Sequence, residues 1–300
     1  MTVIAIIAAL LIEQWRPLGD LKVWFAVLED MAARLERAFN AEQDGHGTIA
    51  WAVGVGPAFV LAIAVHSLLY LASPLLSLLF DVVVLYLTLG FRQFSHLFTD
   101  IETALKAGDL ERARELIAEW RGEPVAPRSR EEIVRLSVEQ ALLASQRHVF
   151  GVLLWYVLLG PGGAILYRFA VFLRQRWGAL GAFGEFAEHA LFVLEWPAVR
   201  LTAAVFAVVG NFEDAVYCWR TQARNWAEHN VGVVLASGAG AMGVRLGMPL
   251  AGDGGEARPE LGVGEAADVP TLDATVGMVW RALVVWIFIL ILLSIAHLLG

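Results

Sequence analysis

Gly238-Ala-Gly240-Ala-Met-Gly243 has the G-x-G-x-x-G spacing of a phosphate loop, in which bare backbone amides approach a pyrophosphate at a helix N-terminus. The β-branched stretch Val231-Gly-Val-Val-Leu235 precedes it and looks like a lead-in strand. A dinucleotide site also needs a helix after the glycines, a βαβ unit and an acid about 20 residues on. Only Val244-Arg-Leu-Gly247-Met-Pro249 follows, too short and broken for that helix. The glycines therefore read as close backbone packing, with Gly238–Gly247 laid against an apolar span and no βαβ unit.

Other chemistries need clusters, and few are present. His46, His66, His96, His148, His189, His229 and His297 are scattered, with no H-E-x-x-H pair to grip zinc, so no metal site is expected. Cys218 stands alone, which excludes an internal disulfide and a cysteine-based cluster and reads as an inert core thiol. No serine nucleophile elbow or C-x-x-C occurs. Ionisable groups inside apolar runs mark function by default. Glu195 and Arg200 are two of these, but five residues apart they share no helical face well. Arg168 lies near a span end, where its stem can snorkel, and His66 reads as a helix-contact residue satisfied by a neighbour.

The elements that must carry these groups are membrane helices. Apolar residues make up 58% of the chain and charged residues 17%, below the roughly 25% usual in soluble domains. Apolar runs cover 49–72, 75–91, 149–172, 190–210 and 279–299. Each approaches the about 20 residues needed to cross a bilayer. The fold class is an all-α polytopic bundle of about five spans, preceded by a short, retained apolar helix at Thr2–Ile12. Ser73-Pro74 implies a tight hairpin between the first two spans, and Pro57 and Pro161-Gly162-Gly163 imply kinks.

Basic residues set the orientation. Segments 13–48, 92–148 and 211–278 carry four, nine and four Lys or Arg, against Arg174 and Arg176 in the short opposite loop. All three segments are therefore expected on the cytoplasmic side of a bacterial inner membrane. The chain reads as one membrane domain, 1–300, with a helical insertion at 92–148 and a helix plus flexible acidic loop at 211–278. In Thr99–Trp120 the apolar residues recur at helical steps, broken at Gly108-Asp109, with Asp109 an N-cap. Ser129-Arg-Glu-Glu132 is a capping box, and Glu131 with Arg135 suits a surface pair. Asn211–Glu228 reads as one amphipathic helix, and Ala251–Thr271 as a loop without periodicity. A net charge of −8 offers no basic patch for nucleic acid; the lipid bilayer, and a protein partner or second copy, are the partners expected.

Several stretches resemble the CobD/CbiB cobalamin-biosynthesis membrane family and its AmpE-like branch, over nearly the whole chain. Ile12-Glu-Gln-Trp-Arg-Pro-Leu18 resembles the AmpE-like opening, and Ala104-Leu-Lys-Ala-Gly-Asp-Leu-Glu-Arg-Ala-Arg114 the helix pair after the early spans. Leu154–Leu159 with Gly163–Arg168 resembles the third-span signature, and Trp196-Pro-Ala-Val-Arg-Leu-Thr202 the proline-alanine-arginine-leucine segment with one residue inserted. Phe212–Arg220 and Gly240–Gly247 resemble the C-terminal region. Cobalamin-branch members couple cobyric acid to an aminopropanol or its phosphate with ATP, so the resemblance implies carboxylates around a metal–ATP complex.

The acids of that pattern are thinned. Glu139-Gln-Ala-Leu-Leu-Ala144 keeps only the first acid of the family's glutamate-serine-leucine-alanine-glutamate-asparagine motif, and Val171-Phe-Leu-Arg174 replaces asparagine-threonine-leucine-aspartate. Arg121-Gly-Glu123 is the remnant of glycine-arginine-aspartate-threonine, and His229–Val233 replaces serine-proline-asparagine-alanine-glycine. The first reading is accordingly a regulatory, signalling or scaffold member that has lost the synthase motifs, with no cofactor. The alternative is an active adenosylcobinamide-phosphate synthase using ATP and Mg, with Glu102, Glu139, Glu213 and Asp214 as substitute acids. A transporter comes third, resting on Pro57, His66 and Pro161–Gly163. Any ligand is expected where cytoplasmic helices meet the spans, at Glu139, Arg168, Glu213, Asp214, Trp219 and Arg220, unless Glu139 and Arg168 form a plain ion pair.

Overall fold

A computed structural model describes residues 2–15, 22–39, 46–250 and 258–299. In chain order the helices are α1 (Thr2–Trp15), α2 (Lys22–Phe39), α3 (His46–Ala72), α4 (Pro74–Thr88), α5 (Phe91–Ala107), α6 (Leu110–Arg121), α7 (Arg130–Ser145), α8 (Gly151–Trp177), α9 (Ala182–Val209), α10 (Phe212–Gln222), α11 (His229–Met242) and α12 (Val269–Leu299). A π-helical turn, Gln146–Phe150, joins α7 to α8. Three short strands, β1 (Val244–Gly247), β2 (Glu260–Gly262) and β3 (Glu265–Ala266), lie between α11 and α12. The molecule is an all-α polytopic bundle. Among the described residues four helical stretches are long and apolar enough to cross a membrane: His46–Ala72, Arg130–Trp177, Ala182–Val209 and Val269–Ala296.

The helix signals read in the sequence act as capping chemistry dictates. Asp109 accepts the Arg112 N–H at 3.0 Å and starts α6, and Ser129 with Glu132 closes a full capping box on α7. Ser73 accepts the Leu75 N–H at 3.3 Å with Pro74 in the first turn of α4, which makes the tight α3–α4 hairpin. α3 runs through Pro57 as helix, whereas α8 breaks at Gly160 (φ +64°, ψ −155°), just before Pro161.

Residues 1–92 and 147–197 pack as one compact unit, and 93–146 with 198–300 as another. In the first, α3 packs on α8 and α4, and α1 on α4. One apolar cluster joins Ala32, Ala50, Val55, Leu173, Trp177, Phe183 and Ala187. The outward side of α3 leaves Val60, Leu61, Leu68 and Leu71 exposed, a surface suited to lipid rather than water.

In the second unit α7 and α11 are buried on nearly every face, and α10 lies along α11. The glycines make that contact possible. A Cβ on Gly240 would stand 2.4 Å from the Asp214 carbonyl oxygen, and one on Gly238 would stand 2.7 Å from the Leu142 side chain. Gly243 is the left-handed C-cap of α11. The G-x-G-x-x-G run is thus a packing stripe and a helix stop, in the helix-then-strand order opposite to a dinucleotide fold.

Five readings change. Val231–Leu235 is helix within α11, not a strand. Residues 244–271 hold a three-stranded sheet ordered β2-β1-β3, with β1 antiparallel to β2 and parallel to β3. The strands are four, three and two residues long, too short to show alternation in the sequence. Residues 251–257 of the expected acidic loop lie outside the described residues. The helix expected over 211–228 stops at Gln222 in a short 3₁₀ turn. Finally α12 starts at Val269 rather than Val279; at its first turn Thr271 Oγ1 accepts the Asp268 N–H at 3.1 Å and Asp268 Oδ1 the Val269 N–H at 2.7 Å. α4, expected as a fifth span, is 15 residues long, about 22 Å of helix.

Candidate functional site

Glu139 and Arg135 stand one turn apart on α7 and leave the same face. They are 3% and 4% exposed. Glu139 Oε1 accepts the Gly247 backbone N–H at 2.8 Å, and Oε2 accepts Arg258 Nη2 at 2.5 Å. Gly247 ends β1 at φ +74°, and a Cβ there would lie 2.0 Å from the Pro259 carbonyl oxygen, so only glycine fits. Met248 follows at φ +63°, a left-handed conformation that is strained for a non-glycine residue.

The carbonyls of this turn face the arginines. Arg258 Nε donates to the Met248 carbonyl at 3.3 Å, and Arg135 Nη2 reaches the Pro249 carbonyl at 3.4 Å. The Arg258 guanidinium also lies over the Trp226 ring, 5.3 Å from its centroid. Arg135 Nε is buried with no hydrogen-bond partner among the described residues. Two guanidiniums and one carboxylate are therefore held out of water by a helix face, a strained turn and an indole. Glu139 is held between two donors. The arginines carry the planar N–H forks that grip phosphate and carboxylate oxygens.

The remaining candidates lie elsewhere. On α10, Glu213 and Arg220 are exposed and Trp219 is half-buried. Asp214 serves the helix start: it accepts from Asn211 Nδ2 at 2.6 Å, while Asn211 Oδ1 accepts the Asp214 N–H at 3.2 Å. Glu102, a substitute acid, binds Lys106 on the surface at 2.5 Å; that bond, with a second to Asp273, holds the ammonium above its ordinary pKa. Burial pushes the Cys218 thiol up to about 11, as an inert thiol requires. Among the described residues no three His, Cys, Asp or Glu side chains come together to hold a metal ion.

Two pairings differ from the sequence reading. Glu139 pairs with Arg258, not Arg168, because the turn after β1 brings Arg258 back to α7. Arg135 is buried on the Glu139 side of α7 instead of forming a surface pair with Glu131. Arg258, one of the four basic residues of 211–278, carries no site signal in the sequence because it sits in a Gly-, Pro- and acid-rich stretch that reads as a loop.

In the first unit Arg168, on α8, donates to His148 Nδ1. A guanidinium has no acceptor, so that ring nitrogen is unprotonated. His66 is satisfied as expected: its Nδ1 lies 2.8 Å from Asp81 Oδ1, and the Tyr156 hydroxyl donates to Asp81 Oδ2 at 3.0 Å. Asp81 went unremarked in the sequence, although a lone aspartate in an apolar run beside a histidine-bearing hairpin partner was the available signal. Glu195 accepts from Arg147 Nε at 2.8 Å. In the second unit Arg200 reaches Asn230 Oδ1 at 3.4 Å.

Comparison with known proteins bears on the whole chain at once. The CobD/Cbib protein family matches residues 5–296. The chain belongs to the CobD/CbiB family. It is 34% identical over 270 residues to the cobalamin biosynthesis protein CobD of Stutzerimonas stutzeri (strain A1501), covering 87% of this chain and 88% of that protein. It is 33% identical over 232 residues to the protein of the same name from Chromobacterium violaceum, covering 76% and 74%. No solved structure matches. Glu139 is the one acid of the candidate set that lies at the centre of a buried charge cluster.

Proposed function

We propose that this chain works in the bacterial inner membrane in cobalamin biosynthesis, at the amide-forming step that joins a corrinoid carboxylate to an amine. The observation that carries the reading is the placement of Glu139, locked against Gly247 and Arg258 beside Arg135 in a chain related over 87% and 76% of its length to two proteins named for cobalamin biosynthesis. Amide formation from a carboxylate passes through a tetrahedral, negatively charged centre, and paired guanidiniums in a dry site stabilise such charge. Arg135 and Arg258 take that role, and Glu139 holds the second of them in position. Segments 92–148 and 211–278 face the cytoplasm on this reading, where ATP is the co-substrate. The described carboxylates form no metal cage, so a magnesium ion would be held chiefly through the ATP phosphates, as magnesium commonly is.

The regulatory or scaffold reading retains one observation in its favour: Val171, Phe172 and Leu173 stand where the family resemblance expects polar and acidic side chains. One experiment separates the two. The chain is expressed in a bacterium lacking its cobinamide-phosphate synthase, and growth that depends on cobalamin made from cobyric acid is scored. The biosynthetic reading expects rescue that Glu139→Gln and Arg258→Met abolish. With membrane expression verified, absence of rescue overturns it in favour of the regulatory one.

A further inference from the structure

Among the described residues Arg168 is the one charged residue lining a cavity of about 310 Å³ between α2, α3, α4 and α8, within the range of small-molecule sites. Every other described lining side chain is apolar except Thr88, whose hydroxyl is turned back on its own helix, 2.8 Å from the Val84 carbonyl. Ala58 and Ala62 leave the space. Leu61, 64% exposed, also lines the cavity, on a helix whose Val60, Leu68 and Leu71 are exposed too. The cavity is therefore continuous with the surface that α3 gives to the bilayer. An apolar void of this size is costly to leave empty, and it holds water poorly because a buried water needs two to four polar partners.

We infer that this cavity binds an anionic phospholipid drawn sideways from the bilayer, with one acyl chain between α3, α4 and α8 and its phosphate on Arg168. The lining matches an acyl chain in chemistry, and the guanidinium stands at its wall where a headgroup oxygen is needed. Arg168 already has neighbours: it donates to the His148 ring, and the Glu13 carboxylate attracts it. Five N–H donors in a planar fork let one guanidinium serve these and a phosphate together. The bilayer supplies the ligand, so the site is independent of the amide-forming proposal.

The test uses the full chain reconstituted in nanodiscs of equimolar phosphatidylglycerol and phosphatidylcholine, re-extracted in mild detergent, with the retained lipid identified by mass spectrometry. Phosphatidylglycerol is expected in roughly fivefold excess, the preference one basic side chain gives an anionic headgroup. Arg168→Gln should bring the ratio to about one, the value with no such preference. Ala62→Phe should fill the void and remove the retained lipid, with a circular-dichroism melt to verify folding. Ala58→Leu, nearer the rim, does the same if Ala62→Phe misfolds. Retention at the bulk ratio by the wild-type chain, or unchanged retention in a folded cavity-filling variant, overturns the inference.

Discussion

Removing the Glu139 carboxylate should cost more than any other single change in the second unit, and the structure sets the size. Its side chain is 4% exposed and that of Arg258 is 10% exposed, so neither charge has water to fall back on. Breaking a buried ion pair from one side leaves the other charge stranded, at about 3–5 kcal/mol. The Gly247 N–H loses its acceptor as well, which adds about 1–3 kcal/mol. Glu139→Ala should therefore cost about 4–8 kcal/mol, whereas Glu139→Gln keeps an oxygen for Gly247 and loses about 2–3. The decisive variant is the double, Glu139→Ala with Arg258→Met, which strands no charge in the pair. It should recover about 2–3 kcal/mol relative to Glu139→Ala, the coupling expected for side chains in direct contact. Thermal melting of the full chain in detergent reads this out. At roughly 2 °C per kcal/mol for a chain of this size, Glu139→Ala should melt about 10 °C low and the double should regain about 5 °C. A double variant whose loss equals the sum of the two singles would show that the charges do not depend on each other, and the reasoning from burial would fail.

Three further outcomes follow from the geometry. Asp81→Ala strands the His66 and Tyr156 donors between membrane helices and should cost about 2–4 kcal/mol in detergent melts, while Asp81→Asn, which keeps one acceptor, should cost less than half of that. Gly247→Ala meets both a positive φ and the Pro259 carbonyl and should lose more than about 3 kcal/mol, whereas Gly243→Ala, with positive φ but open space around it, should lose about 1; equal losses would mean that the close approach is unimportant. Cys218 ionises well above the ordinary thiol value, so iodoacetamide should leave the native protein unlabelled at pH 8 and modify it once unfolded. Labelling should appear only as pH climbs toward 11, because the folded thiol gives up its proton later than the unfolded one. Fast labelling of native protein at pH 8 would contradict the burial.

What could be read from the sequence was whatever is written locally. Capping at Asp109 and Ser129, the Ser73-Pro74 hairpin and the lengths of the apolar runs each depend on residues a few positions apart, so one stretch of chain contains the whole signal. The G-x-G-x-x-G run was legible as packing because the helix that must follow a phosphate loop was missing. The candidate site was half legible. Glu139 stood out from a resemblance, but Arg258 lies 119 residues away in a stretch without periodicity, and only the fold of β1 and β2 joins them. The buried setting of Arg135 was hidden for a related reason. Glu131, four residues before it, offered a plausible surface partner, and sequence spacing cannot say which face of α7 the protein covers. Asp81 shows the opposite failure, since its signal was present and hydropathy averaged it away.

Gly160 has a consequence of a different kind. An uninterrupted helix fixes the bearing of every side chain once one is set, because each residue advances by the same rotation. At φ +64° and ψ −155° Gly160 resets that count in the middle of α8. Trp155, which donates to the Leu194 carbonyl at 3.0 Å, and Tyr156, which donates to Asp81, are aimed by the half before the break. Arg168 is aimed by the half after it. The two halves behave as separately indexed dials on one shaft, so a substitution at Gly160 that restored regular helix would re-aim Arg168 without touching it, leaving every local contact of the first half intact.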